Sequence, residues 1–304
     1  MKFYLLMASL ILAAGLSYGQ SIKLAGIEYA NYPKVAVKGS QTGQELAFRE
    51  FGTYINVPII AKKSRMIFVN GFRYFQLNTT TYNSPIYSQP EVKQTFHTII
   101  YSLNVVKPLS PKWTMILGVL PTISSDFTKG LTSDDFLIQA LALAHYKLRE
   151  GFEVGGGLAY NTRFGRQILL PIIQVNYQKR LFHLNAILPT NLNAYFRTPN
   201  ERLKAGLRIR TIGSFININD QIISNNTIDK LSYTRINVGP LVEWKLAGPL
   251  VMELAGGITA RRKFDFSTAE KNTVSFDSES GPFLTIGLSI APTRKKESGQ
   301  GLIE

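Results

Sequence analysis

The stretch LVMELAGGITARRKFDF, residues 250–266, alternates between two unlike sets of side chains. Every second residue from Leu250 to Ala260 is apolar or glycine. The alternate set, from position 251 onward, includes the charged residues Glu253, Arg261 and Lys263. A period of two is that of a β-strand, whose successive side chains point to opposite faces. The stretch therefore predicts a strand with one apolar and one charged face, and the fold depends on which face meets water.

The same alternation recurs along the chain, and amphipathic helical spacing does not. It predicts fourteen strands, or twelve if one pair is lost, and the weakest two are 24–34 and 193–198. The predicted strands are 24–34, 45–60, 66–79, 95–108, 112–124, 135–148, 151–162, 166–178, 181–189, 193–198, 202–217, 231–246, 249–264 and 280–292.

Short and long connections alternate between these strands. The turns 109–112, 149–151 and 178–180 are short, whereas the connections 80–94 and 267–281 are long. Short periplasmic turns and longer extracellular loops are typical of outer-membrane barrels, and an even strand number is the rule for them. Both ends of the strand-rich region then fall on the short-turn side.

Strand length and aromatic placement indicate which face meets lipid. Several predicted strands have 12 to 16 residues, against about 5–6 in most globular sheets and about 9–11 in a tilted membrane strand. Aromatic side chains flank the short turns, as in the girdle of a membrane barrel: Trp113, Tyr146, Phe152, Tyr177, Phe182 and Trp244. We therefore expect an all-β, antiparallel transmembrane β-barrel. A soluble secreted β-sandwich, with its apolar faces packed together, is an alternative.

The N-terminus has the pattern of a secretory signal peptide. A lysine precedes the apolar run Phe3–Leu16, and small residues then predict cleavage near Gly19/Gln20. The run is short for a transmembrane anchor. We expect a signal peptide at 1–19, one outer-membrane barrel domain at 20–304, and a polar tail at 293–304.

The residues give no pattern of catalysis, metal binding or cofactor binding. The three histidines, His97, His145 and His183, have no serine two residues later, and there is no cysteine. A Ser–His nucleophile, thiol chemistry and a clustered ligand set are therefore not expected. Asp134 and Asp135 form an adjacent loop pair, which is the pattern of a solvated loop. The chain is expected not to be an enzyme. Despite a net charge of +14, no nucleic-acid-binding motif appears.

Charged residues on the polar strand faces are the best clue to function. Those predicted to line the lumen are Glu153, Lys204, Arg208, Arg210, Arg235, Glu243, Glu253 and Arg261. These charges could pair and plug the barrel, or a basic surplus could line a water-filled path. We favour a passive channel for small solutes with an anion preference. The alternative is a plugged structural or surface-interaction barrel without transport.

The stretch NAILPTNLNAYFRTPNERLKAGLRI, residues 185–209, resembles a motif of an uncharacterised outer-membrane barrel family of Bacteroidota, known as a domain of unknown function. The similar positions are Leu188-Pro189-Thr190, Tyr195, Arg197, Leu203 and Gly206. The resemblance implies an outer-membrane barrel and gives no activity. The expected partners are outer-membrane lipid, lipopolysaccharide and the barrel-assembly machinery, and the oligomeric state stays open.

Overall fold

The computed structural model describes residues 23–84, 89–223, 226–268 and 273–292. The predicted signal peptide and the polar tail lie outside the described residues. The strands are β1 Ala25–Ala36, β2 Glu45–Ala61, β3 Met66–Tyr82, β4 Glu91–Pro108, β5 Trp113–Ser125, β6 Phe136–Arg149, β7 Phe152–Asn161, β8 Ile168–Lys179, β9 Phe182–Leu188, β10 Asn191–Arg197, β11 Leu203–Ile223, β12 Asn226–Ala247, β13 Leu250–Thr268, β14 Thr273–Asp277 and β15 Gly281–Ile290. A one-turn 3-10 helix, Ser133–Asp135, precedes β6.

The sheet closes on itself into a barrel of fourteen antiparallel strands. Each strand from β1 to β13 pairs with the next, β13 pairs with β15, and β15 pairs with β1. The strands predicted at 24–34 and 193–198 are both present, as β1 and β10, so the twelve-strand alternative is wrong. The short β14 was predicted as loop; it pairs only with the far end of β13 and stands outside the ring.

The outer face of the barrel is apolar. Leu207 and Ile258, for example, are 61% and 58% exposed, and they alternate with polar residues that face inward. In a closed ring each strand has a partner on both sides over most of its length, and this is how strands satisfy their backbone groups within lipid. The fold prediction is therefore confirmed, and the soluble-sandwich alternative is wrong, because the apolar side chains are not packed against a second sheet.

Aromatic side chains form a nearly continuous band at the short-turn end. The rings of Trp113 and Tyr146 lie 4.8 Å apart, and those of Phe152 and Tyr177 lie 5.7 Å apart. Phe182 continues the band from Tyr177 at 6.4 Å. Trp244 lies at the same end of β12, opposite Leu203 and Met252. Phe196, 5.2 Å from Phe182, belongs to the same band and was not predicted.

The long-loop half of the barrel is filled by apolar side chains that point inward. Ring contacts join strands that are three or four apart around the wall: Phe48 of β2 lies 5.7 Å from Tyr233 of β12 and 4.6 Å from Phe264 of β13. We call this group the internal cluster: Ala30, Tyr32, Val37, Leu46, Phe48, Leu77, Phe96, Ile216, Ile218, Ile228, Leu231, Tyr233, Phe264 and Phe283.

A bridge between β11 and β5 narrows the same end. Asn217 of β11 pairs with Ser125 of β5, although five strands separate β5 from β11 along the wall. The Asn217 side-chain nitrogen donates to Asp135 Oδ1 at 2.9 Å. Lys230 in turn donates to Asn217 Oδ1 at 2.9 Å. The upper part of β11 therefore leans across the lumen.

Candidate functional site

A cavity of about 720 Å³ occupies the lumen below the internal cluster. Five basic and two acidic side chains line it, which is an excess of three positive charges: Lys23, Arg73, Arg163, Arg208, Arg210, Glu28 and Glu253. A second cavity of about 200 Å³ shares Arg73, Arg163, Arg210 and Glu28 with it and reaches up to Arg235. The lumen is thus neither empty nor completely filled.

Two carboxylates neutralise the basic side chains near the short-turn end. Lys23 Nζ lies 2.8 Å from Glu253 Oε2 and 3.2 Å from Glu243 Oε2. Lys204 pairs with Glu243, and Arg208 pairs with Glu253. Arg208 Nε also donates to Asn193 Oδ1 at 2.9 Å. Four of the residues predicted to line the lumen thus join Lys23 in a network of three basic and two acidic side chains.

The predicted lumen residue Arg235 is fully buried at the edge of the internal cluster. Its guanidinium makes a bidentate ion pair with Glu50, and the two side chains are only 2% and 5% exposed. Arg235 Nη1 also donates to the hydroxyl of Tyr233 at 2.7 Å. A fork-to-fork pair of this kind fixes geometry as well as charge. Arg235 therefore borders the smaller cavity with its charge already neutralised by Glu50.

Arg261 does not line the lumen, and its predicted position is wrong. Arg261 pairs with Ile236, but Thr259 pairs with the next residue, Asn237, so β13 carries one extra residue at Ala260. Such a bulge turns every following side chain to the opposite face. Arg261 is exposed on the outer face, and Arg262 takes the inward position, 1% exposed.

Arg262 has no hydrogen-bond partner for its side chain among the described residues. All three of its side-chain nitrogens are buried and unpartnered. The guanidinium carbon lies 5.3 Å from the ring centre of Phe48 and 5.5 Å from that of Tyr32. Attraction to these two rings offsets part of the cost of burying the charge.

Arg210 and Glu153, the remaining predicted residues, face separate cavities. Arg210 Nη1 lies 3.4 Å from Glu28 Oε1, and both line the 720 Å³ cavity. Glu153 lies in a smaller cavity of about 260 Å³ at the short-turn end, together with His183 and Tyr195. The predicted residues therefore do not form a single site.

Two of the cavity arginines, Arg73 and Arg163, were not predicted. Neither has a carboxylate within ion-pair distance in the described part of the chain. Arg73 alternates with the outward Phe72 and Tyr74, so the period of two could have identified it. Arg163 lies in the β7–β8 loop, where no strand pattern applies. Burial, together with the nearby Arg210 and Arg73 charges, lowers the pKa of Arg163 to about 10.

Apolar side chains line the same cavity as these charges. Leu143, Ala159 and Ile172 form a small buried cluster on the inner faces of β6, β7 and β8. The partly buried residues packed against it also line the cavity: Ile116, Leu141 and Ile187. The cavity lining is therefore part cationic and part apolar.

Asp135 holds the bridge at the long-loop end in place. Burial raises the pKa of Asp135, but hydrogen bonds from Thr132, Ser125 and Asn217 outweigh that effect and hold the pKa below its usual value. The backbone nitrogen of Thr132 donates to Asp135 Oδ2 at 2.6 Å. In its ionised form Asp135 therefore ties the loop before β6 to β11.

Among the described residues, no three His, Asp or Glu side chains gather in the way a metal site requires. No helix in that part of the chain is long and apolar enough to cross a membrane. What the arrangement offers is charge, because the cavity presents guanidinium groups with few carboxylates to neutralise them.

Solved structures similar to this chain are outer-membrane barrels. A mutant of the TodX monoaromatic hydrocarbon channel is 10% identical, with a TM-score of 0.48 and coverage of 95% of this chain and 94% of that one. The translocator domain of the autotransporter NalP from Neisseria meningitidis is 12% identical, with a TM-score of 0.37 and the same two coverages. LpxR from Salmonella typhimurium is 9% identical, with a TM-score of 0.34, over 88% and 99% of the two chains.

A comparison of the sequence with curated proteins gave no match. A family model described as a domain of unknown function matches residues 26–291, which include all fourteen strands of the barrel except the first residue of β1. The match agrees with the resemblance seen in residues 185–209. The chain belongs to the DUF6268 family, a domain of unknown function, and is a member with the fold of an outer-membrane β-barrel.

Proposed function

We propose that this chain is a constricted, non-enzymatic outer-membrane channel that passes small solutes and prefers anions. One observation carries the proposal: a lumen cavity of about 720 Å³ with five basic and two acidic side chains. A cation-rich wall of low dielectric raises the local concentration of anions. Outer-membrane lipid, lipopolysaccharide and the barrel-assembly machinery are the partners that we propose.

Passage through the channel requires the internal cluster to move. The cluster and the β5–β11 bridge lie at the end of the long loops, which we assign to the extracellular side on the pattern of outer-membrane barrels. Apolar side chains packed without water give no path to an ion. The resting channel is therefore expected to conduct little, with rare openings.

The second candidate is a plugged barrel without transport. The buried Glu50–Arg235 pair and the stacked rings of Phe48, Tyr233 and Phe264 favour it, because these contacts make the cluster costly to open. The difference between the candidates lies in whether loosening the cluster opens a path.

Conductance in planar bilayers separates the two candidates. We expect rare openings in the wild type and frequent, anion-selective openings in Phe264→Ala, which removes a ring stacked 4.6 Å from Phe48. The matched control is Phe196→Ala, which removes a ring on the outer face. A heat-dependent shift on a denaturing gel shows that each variant is folded. Folded barrels that never conduct, with or without Phe264, would establish the plugged candidate.

A further inference from the structure

The same cavity is lined by both a cluster of arginines and a cluster of apolar side chains. We propose that the cavity binds an amphipathic organic anion, with its head group at Arg73, Arg163 and Arg210 and its apolar body against Leu143, Ala159 and Ile172. The inference rests on the proposed function for the setting of the site, but it concerns binding and not conduction. It names the solute class that the channel selects.

The three arginines come from separate parts of the chain and meet at the junction of the two cavities. Arg73 comes from β3, Arg210 from β11 and Arg163 from the β7–β8 loop, and all three line both cavities. Arg210 alone has a carboxylate partner, Glu28 at 3.4 Å, which is longer than the usual charge-assisted hydrogen bond. Three guanidinium groups around one carboxylate leave charge for an oxyanion to neutralise.

The apolar side chains of the cavity favour a ligand that also has an apolar body. A fully hydrated inorganic ion gains nothing from Leu143 or Ile172, whereas an aliphatic or aromatic body buries apolar surface there. A volume of about 720 Å³ falls within the range of about 300–1,000 Å³ that is usual for small-molecule sites. Both groups of side chains together select a small amphiphile with one anionic head group.

The wall beside the site has a gap in its strand pairing. The β9–β10 hairpin has strands of seven residues each, so Ile168–Ile172 of β8 has no strand partner on that side among the described residues. At about 3.3 Å per residue the unpaired edge is about 16 Å tall. The β7–β8 loop packs beside it, held to β12 by a hydrogen bond from Ser232 Oγ to the Gly165 carbonyl.

The loop that covers the gap carries Arg163 itself. Gly213 lets the loop lie close to β11, since a Cβ at that position would collide with the backbone carbonyl of Arg163. An amphiphile that enters through the gap would therefore meet the Arg163 charge as it passes the loop. The lumen offers the other route to the same site.

Four probes test the site by isothermal titration of the full barrel in phosphatidylcholine nanodiscs, with empty nanodiscs subtracted. Octanoate and octyl phosphate carry head and tail, inorganic phosphate carries the head alone, and 1-octanol carries the tail alone. We expect the two amphipathic anions to bind at least tenfold more tightly than either half. Equal binding of 1-octanol would overturn the anion site, and equal binding of inorganic phosphate would overturn the amphipathic one.

Arg163→Gln is the deciding variant, because Arg163 makes no ion pair in the described structure and its loss leaves the fold intact. We expect octanoate affinity to fall about tenfold or more. Arg166→Gln, an exposed arginine of the same loop, is the control and should bind like the wild type. Unchanged binding in Arg163→Gln, or no binding by the wild type, contradicts the proposal. A barrel that binds octanoate yet never conducts refutes the channel alone.

Discussion

Neutralising Glu50 should destabilise the barrel more than any other single charge change at the internal cluster. Glu50 is 5% exposed in its side chain and holds Arg235, which is 2% exposed. Two opposite charges about 4 Å apart attract by about 4 kcal/mol at an effective dielectric constant near 20. Removing one partner of such a pair typically costs about 3–5 kcal/mol, because the other charge stays buried. We expect a loss in that range for Glu50→Gln.

The two ends of the pair should not be equivalent. Arg262 shares the ring of Tyr32 with Arg235, at 5.5 Å and 4.4 Å from the ring centre. In Arg235→Met the unpartnered Arg262 is near enough to approach Glu50, whereas Glu50→Gln leaves two guanidinium groups without a carboxylate. We therefore expect Arg235→Met to cost at least about 1 kcal/mol less than Glu50→Gln.

The assay is reversible urea unfolding of the barrel in lipid vesicles, with folded protein measured as the heat-modifiable gel band. The double variant Glu50→Gln/Arg235→Met closes the cycle and should recover most of the loss, because it leaves neither charge of the pair buried. A loss below about 1 kcal/mol in Glu50→Gln would refute the buried pair. Two single effects that simply add in the double variant would refute the coupling.

Three further predictions concern Arg262, Arg261 and Asp135. Arg262→Met should change the unfolding free energy by less than about 1 kcal/mol in the same assay. The variant loses the ring contacts of the guanidinium, but it also removes the cost of burying three unpartnered nitrogens. A loss above about 3 kcal/mol would point to an unseen anion partner. The chain has no cysteine of its own, so a single introduced thiol can be labelled selectively. Arg261→Cys should react with a thiol reagent in the folded barrel, and Arg262→Cys should not. The reverse result would refute the bulge at Ala260. The pKa of Asp135 is lowered in the folded barrel, so ionised Asp135 should stabilise the barrel above the unfolded-state pKa near 4, and this stabilisation should be lost as the pH falls further. Asp135→Asn should lack this part of the acid dependence. Identical pH profiles of stability for the variant and the wild type would contradict the prediction.

The period of two predicted the barrel because closure makes the inner and outer faces differ along every strand. It placed the outward Leu207 and Ile258 and the inward Arg208 and Glu243 without any knowledge of pairing. It failed at Arg261 because a bulge changes the parity within a strand. The choice between Arg261 and Arg262 depends on pairing with β12, which no local pattern contains.

The alternation pattern did not predict the internal cluster or the cavity, and the reason is different. Phe48 and Phe264 are apolar yet face inward, against the pattern of a water-filled barrel, so alternation alone hides them. Their contact is made by strands more than 200 residues apart in the chain. Arg163 reaches the cavity only because the loop bends over the short β9–β10 hairpin. Both features follow from how the ring closes.

The way the arginines are paired shows where water enters the lumen. Arg235, beside the internal cluster, is neutralised by Glu50, and Arg262 is held between rings. Arg73 and Arg163 have no carboxylate partner in the described chain and line the cavity instead. A guanidinium with neither a carboxylate nor stacked rings to offset its charge is most easily accommodated where solvent or an anion can reach it. The cavity lined by Arg73 and Arg163 is therefore the wet part of the lumen, and the internal cluster beside Arg235 and Arg262 is the dry part.

A carboxylate added on the wet side should neutralise the site without disturbing the dry one. Gln139 lines both cavities with the three arginines, and Gln178 lines the separate cavity at the short-turn end. Gln139→Glu places a negative charge among the guanidinium groups, so octanoate affinity should fall about tenfold, while urea stability should stay equal or rise. Gln178→Glu adds the same charge elsewhere and should leave octanoate binding unchanged. If both variants weakened binding equally, the effect would come from the net charge of the barrel, and the arginine cluster would not be the anion site.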